Sequence, residues 1–344
     1  MLKKSLAILL ASCMVLSLGA CGGGASESAA ETEAAAAEAE GAEEVAEAEA
    51  DGEDPIRVAF LPFSMAEEFG IDVLTGVQNA CDAAGYELIP LDPNADLQTE
   101  TSQIEDMITE GVDAMIFAAI DGQAMDEVVK QAQEAGIVMV DYDCTLVSGI
   151  TDVTVKSDDE AGGALAAEIL AQKIGGEGTV VYYEESPGVG SGVWRNKGFR
   201  EYMAENYPDI ELIANRPAET GRAAAQTWAI DMLSAYPEIK GIFCYAGDQS
   251  IGAYYGVKEL GREDVWIVGY DATPEQQEIM LNDGPDCQLT AAVALFPKKM
   301  GRICVESLTQ YLNGEYEKES TDDIIFIEPG CLYAESAEEY VDEE

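Results

Sequence analysis

The 344-residue chain contains no histidine. That absence removes Ser-His and Cys-His nucleophilic pairs, histidine general bases and histidine metal ligands together, so few enzyme mechanisms remain open. Basic residues are scarce as well: 18 Lys and Arg stand against 67 Asp and Glu, a formal net charge of −49. The ends exaggerate the imbalance, because residues 22–54 hold 12 acidic residues and residues 335–344 hold 6. The body between them carries 49 acidic against 16 basic residues, about −33. Nucleic acid is therefore not an expected partner, since binding it needs a basic footprint. The acid excess reads instead as a soluble surface kept off other anions. The eight cysteines show no CxxC or other metal spacing, and neither metal nor cofactor is expected. Of these, Cys81, Cys144, Cys244, Cys287, Cys304 and Cys331 read mostly as small buried apolar residues.

Apolar runs are short throughout, and the one near the start has the layout of a secretory signal. Lys3 and Lys4 precede an apolar stretch at 6–18 that is too short for a comfortable membrane span. The run closes on Leu18-Gly19-Ala20-Cys21, which resembles the lipobox of bacterial lipoproteins. That resemblance implies that residues 1–20 are removed, that Cys21 is lipidated, and that the protein is held outside the bacterial cell membrane by its lipid. Residues 21–54 follow as a spacer of Gly, Ala, Ser, Thr and acidic residues with Val45 its one large apolar side chain. Such a segment cannot bury enough apolar surface to offset its chain entropy.

From residue 55 the pattern alternates. Strands are predicted at 56–61, 86–91, 114–118 and 137–141, separated by helices on the face of Val73, Val77, Cys81 and Ala84, at 101–110 and at 126–135. After Ser157 the rhythm restarts. Helices at 161–173, 193–206, 223–235 and 251–260 alternate with strands at 178–183, 210–214, 242–245 and 265–270. The fold class is α/β, two doubly wound parallel-sheet halves with a cleft at facing strand ends.

The run Gly111-Val112-Asp113-Ala114-Met115-Ile116, the turn Ala135-Gly136-Ile137, Ser157-Asp158 and Lys197-Gly198-Phe199 resemble periplasmic sugar-binding proteins of the ribose and galactose type. So do Tyr236-Pro237-Glu238-Ile239, the stretch from Val268 to Pro274, and Asn313-Gly314-Glu315. The resemblance covers nearly all of 55–330 and implies the type I periplasmic binding protein fold, two lobes joined by a three-strand hinge that closes on a ligand. It places one lobe at 55–157 plus 296–323 and the other at 158–295 plus 324–334, with 335–344 an acidic tail. It implies a monomer that takes no part in catalysis and delivers its ligand to the permease of an ABC importer.

By the same resemblance, Asp143 and Asp271 match carboxylates that accept hydrogen bonds from sugar hydroxyls, and Arg195 matches an arginine that donates to them. Phe63, Phe69 and Trp194 are expected to stack on the ligand, with Tyr142 and Tyr245 either at the site or in the core. The chain departs from the family's pattern at Cys144, at Ala246-Gly247 with Asp248 next, and at Leu295. These altered positions point to a ligand other than ribose held in the standard way. A nucleoside, an autoinducer-like molecule or an amine facing Glu67 or Glu68 stays open beside a sugar. A glycosidase using Asp143 and Asp271 as paired carboxylates is the remaining alternative.

Overall fold

The computed structural model describes residues 54–66, 68–185, 190–217 and 221–341. The expected signal, Cys21 and the spacer up to 53 lie outside them, as does Glu67. Among the described residues no helix is long and apolar enough to cross a membrane.

β1 (Arg57–Leu61) is buried along its last four residues, as a strand covered on both faces must be. It is followed by α1 (Glu68–Ala84), β2 (Glu87–Pro90), α2 (Leu97–Glu110), β3 (Ala114–Phe117), α3 (Asp126–Glu134), β4 (Val138–Tyr142) and β5 (Val153–Ser157). Alternation along β1 divides its neighbours. Val58 and Phe60 pack with Val73 and Val77 of α1, whereas Ala59 and Leu61 pack with Ile104 of α2 and Val129 of α3. The helix ends are written locally: Asp96 accepts from Thr99 N at 2.8 Å to start α2, and Gly111, at φ 69°, ends it with a backbone bond to Met107 O.

The second run is α4 (Asp159–Ile174), β6 (Gly178–Tyr183), α5 (Gly190–Asn206), β7 (Ile210–Asn215), α6 (Arg222–Ala235), β8 (Ile239–Phe243), α7 (Gly247–Glu259), β9 (Trp266–Tyr270), α8 (Pro274–Asp283) and β10 (Leu289–Ala294). The chain then returns to the first lobe as α9 (Pro297–Leu312) and β11 (Ile325–Ile327), and ends in the second as β12 (Gly330–Tyr333).

Each lobe is built on a six-stranded sheet of the same plan, β2-β1-β3-β4-β5-β11 and β7-β6-β8-β9-β10-β12. All pairs are parallel except β12, which runs antiparallel to β10. Because Ile325–Ile327 pair with Val155–Ser157, the last crossing comes at Glu328 and Pro329, later than the boundary after 323 that the sequence suggested. The other crossings follow Ser157 and Ala294. At the second of these Phe296 holds φ 53°, and its ring lies where a Cβ on residue 330 would be, so only glycine fits there.

Small residues draw the covering helices together in both lobes. A side chain on Gly76 would strike Lys298 O across α1 and α9, and one on Gly163 would strike Arg195 O across α4 and α5. The segment after β12 is not a solvated tail as far as Tyr340. Ala334 and Ala337 are buried in the second lobe's core, at 7% and 2% exposure.

Candidate functional site

Both sheets reverse strand order beside their first strand, and ligands of open parallel sheets bind at the carboxyl ends next to such a point. A cavity of about 530 Å³ lies there and is shared by the lobes. The first lobe contributes Phe69 and Asp72 of α1, Asp143 after β4, and Lys298 of α9. The second contributes Arg195 of α5, Asp271 and Thr273 after β9, and Gln277 of α8. Leu295 lines it at the crossing. A smaller cavity of about 170 Å³ adjoins it, sharing Phe69 and Asp143 and adding Phe63, Tyr142 and Cys144.

Arg195 organises the second lobe's wall. Its side chain is 8% exposed; Nε donates to Asp159 Oδ1 at 2.8 Å, and Nη1 donates to Tyr245 O at 3.0 Å and to Asp271 Oδ1 at 3.3 Å. The guanidinium carbon stacks 4.0 Å from the centre of the Tyr270 ring. Burial alone would weaken its proton, but the carboxylates of Asp271 and Asp159 outweigh that and hold it above the usual arginine value. Asp271 is fixed from its other oxygen, where Gly247 N donates at 2.8 Å.

The carboxylates around that cation are in surplus. Burial raises the pKa of Asp143 and of Asp159, and in each case the Arg195 charge opposes the rise. Asp143 and Asp271 also hold positive φ, 52° and 79°, a region few non-glycine residues occupy. Strain of this kind clusters at binding sites, and here it falls on two of the carboxylates that line the cavity. Such a wall accepts hydrogen bonds from hydroxyl or ammonium donors, with one guanidinium to answer ligand oxygens.

The sequence-predicted residues divide. Phe69, Asp143, Arg195, Asp271 and Leu295 come together in the main cavity, and Phe63, Tyr142 and Cys144 in its neighbour. The Cys144 thiol lies 3.6 Å from Asp143 Oδ2, to which it donates. Trp194 does not join them: it is 51% exposed, with the Lys197 ammonium 5.4 Å from its ring. It precedes Arg195 on a helix, so the two side chains leave in different directions. Asp248 is spent on Arg222 at 2.7 Å, on the exposed side of α7. Ala246 is the N-cap of α7, packed against the second lobe's core, and Tyr245 packs edge-on to Tyr183. Sequence reasoning missed Asp159, Asp72, Lys298, Gln277 and Tyr340. Asp159 and Lys298 stand in the first turns of α4 and α9, where a capping signal is visible but the direction of the side chain is not.

Residues 58–316 match the model of the periplasmic binding protein domain. The ribose import binding protein RbsB of Escherichia coli K12 is 26% identical over 258 residues, covering 75% of this chain and 85% of its own. The D-allose-binding periplasmic protein of the same organism is 27% identical over 249 residues, with 69% and 78% covered. Among solved structures, an ABC transporter periplasmic solute binding protein from Actinobacillus succinogenes 130z with bound D-allose superposes with a TM-score of 0.71. It is 27% identical, and 83% of this chain and all of that one are covered. In fold and sequence alike, the chain belongs to the periplasmic binding protein family.

Proposed function

We propose that this protein is the extracytoplasmic solute-binding component of an ABC importer and that it captures a sugar by closing its two lobes on it. The observation that carries this reading is the convergence of Asp143 from one lobe with Arg195 and Asp271 from the other on a single cavity. Paired carboxylates and a guanidinium suit a ring of vicinal hydroxyls, each of which both donates and accepts. The relatives named for ribose and allose support the same class. The protein binds and does no chemistry on its ligand, acts as a monomer, and is held to the membrane by lipid on Cys21. Closure follows from tighter binding to the closed state than to the open one.

A panel of sugars, polyols, nucleosides and amines tested by thermal shift and then calorimetry decides the ligand class. A sugar at a hundred times its Kd stabilises the folded chain by about 2.7 kcal/mol. Saturable binding of an amine but of no sugar replaces this reading with a second one. That alternative is favoured by Glu68 and Asp72, which add further negative charge to the cavity lining. Hydrolysis of a labelled glycoside overturns both. For the anchor, Cys21→Ser is expected to move the protein from the membrane fraction to the soluble one.

A further inference from the structure

Of the described residues that line the main cavity, two are aromatic: Phe69 of the first lobe and Tyr340, beyond the last strand of the second. We propose that Tyr340 is a ligand-binding residue, the second lobe's stacking face, and that the segment after β12 is folded in order to hold it there. The proposal rests on the binding reading given above and adds to it a residue in the part of the sequence that composition marks as an acidic tail.

Three observations place Tyr340. Ala334 and Ala337 are buried in the second lobe's core, so the chain does not leave the surface after β12. The side-chain amide of Gln277 then ties the segment to α8, its Nε2 donating to Ala337 O at 2.8 Å and to Tyr340 O at 3.1 Å. Gln277 itself lines the cavity, as do Thr273 and Pro274 at the start of the same helix, and Tyr340 extends that wall. The ring is half-buried against the lobe's core while still reaching the cavity.

The chemistry needs such a group. The polar grip of Asp143, Arg195 and Asp271 addresses the hydroxyl edge of a sugar, but the C–H faces of its ring are apolar and are best covered by aromatic faces. Phe69 supplies one. Trp194, the sequence-predicted partner on the second lobe, is exposed under Lys197, which leaves the second face to Tyr340. Two rings on opposite lobes also make stacking complete only when the lobes close, and therefore favour the closed state of the ligand-bound protein.

The test compares wild type with Tyr340→Ala, Tyr340→Phe and a chain terminated after Glu339, by calorimetry against D-ribose, D-allose and D-galactose, with ligand-free melting as the control. The expected result is a loss of affinity of roughly tenfold or more for Tyr340→Ala and for the shortened chain. Tyr340→Phe should stay within about threefold, because the ring is kept. Affinity unchanged in Tyr340→Ala or in the shortened chain overturns the proposal. So does a loss that Tyr340→Phe shares in full, or one that only accompanies a lowered ligand-free melting temperature. If no sugar of the full panel binds wild type, the sugar reading is what fails. Tyr340 is then judged by the same variants against whichever polyol, nucleoside or amine of the panel binds.

Discussion

The two lobes share a strand order and differ in what they offer a ligand. The second lobe presents a finished polar lattice, in which Arg195 is held by Asp159, Asp271 and Tyr245 O and stacked on Tyr270. Its helix is locked against α4 by contacts that admit only glycine at 163 and 198. The first lobe presents Phe69, the small apolar cavity and Asp143, whose largest compensating charge is Arg195 of the other lobe. One plan thus carries a preorganised grip on one side and, on the other, a carboxylate completed only across the cleft.

Removing the organiser of the second lobe is the largest expected disturbance. Arg195→Ala strips Asp159, itself mostly buried, of its ion-pair partner, and removing one partner from a buried pair costs about 3–5 kcal/mol. Urea unfolding should show that loss, and calorimetry should show no measurable binding of any ligand that binds wild type. Arg195→Lys should recover little of either, because a compact ammonium cannot reach Asp159, Asp271 and Tyr245 O at once. Retained affinity in Arg195→Ala would break the contrast between the lobes.

The first lobe holds the opposite case, a buried carboxyl with no cation. Glu100 of α2 is fully buried; Oε2 accepts from Ile120 N at 3.0 Å, and Oε1 has no hydrogen-bond partner among the described residues. Burial pushes its pKa up to about 7, against the single backbone bond that lowers it. The folded chain therefore binds this proton more tightly than the unfolded one, and stability falls as pH rises from about 4.5 to about 7 and is level above. Glu100→Gln removes the penalty, so at pH 8 it should stabilise the protein by up to about 3 kcal/mol, at about 1.4 kcal/mol per unit. The gain should vanish near pH 4 in urea titrations at the two pH values. A gain that persists there would mean that something other than the proton is responsible.

The same contrast separates what the sequence disclosed from what it hid. Continuous apolar runs such as 114–117 and 138–140 and caps such as Asp96 with Gly111 are local, so the alternating elements could be read without a structure. Asp143 and Asp271 were picked out by their resemblance to family motifs at strand ends, and they line the cavity just beyond β4 and β9. Side chains on helices were legible only in part: Phe69 and Arg195 reach the cavity as expected, whereas Trp194 does not. Trp194 and Arg195 are neighbours in sequence, yet one is in solvent and the other is buried. Tyr340 was hidden for a different reason: its placement depends on Ala337 and Gln277, a contact far along the chain that acidic composition masks.

Asp143→Asn probes the join between the lobes with a smaller change. Burial raises the pKa of Asp143, so the charged carboxylate costs the folded state stability at neutral pH, and that cost is absent at low pH. The variant should melt higher than wild type at pH 7 and lose that advantage on acidification. Its ligand affinity should fall by roughly tenfold, the worth of a hydrogen bond to a charged group. Stability and binding moving in opposite directions is the signature of a carboxylate kept for its ligand. A variant that both melts lower and binds normally would assign Asp143 a purely structural role.

The smallest effects are expected where sequence and structure part. Asp248 pairs with Arg222 at 2.7 Å, but its side chain is 65% exposed, and pairs so hydrated contribute at most about 1 kcal/mol. Arg222 also keeps Glu275, likewise at 2.7 Å, so Asp248→Ala does not strand a charge. Trp194→Ala removes a ring that lies over Lys197 in solvent and touches neither cavity. Both variants should bind the ligand of the wild type within twofold to threefold, as substitutions away from a site do. A tenfold loss in Trp194→Ala would place that ring at the ligand in the closed state and take the stacking role from Tyr340. Measured beside Arg195→Ala, one residue further along α5, it asks whether a single residue's step around a helix separates a surface from a site.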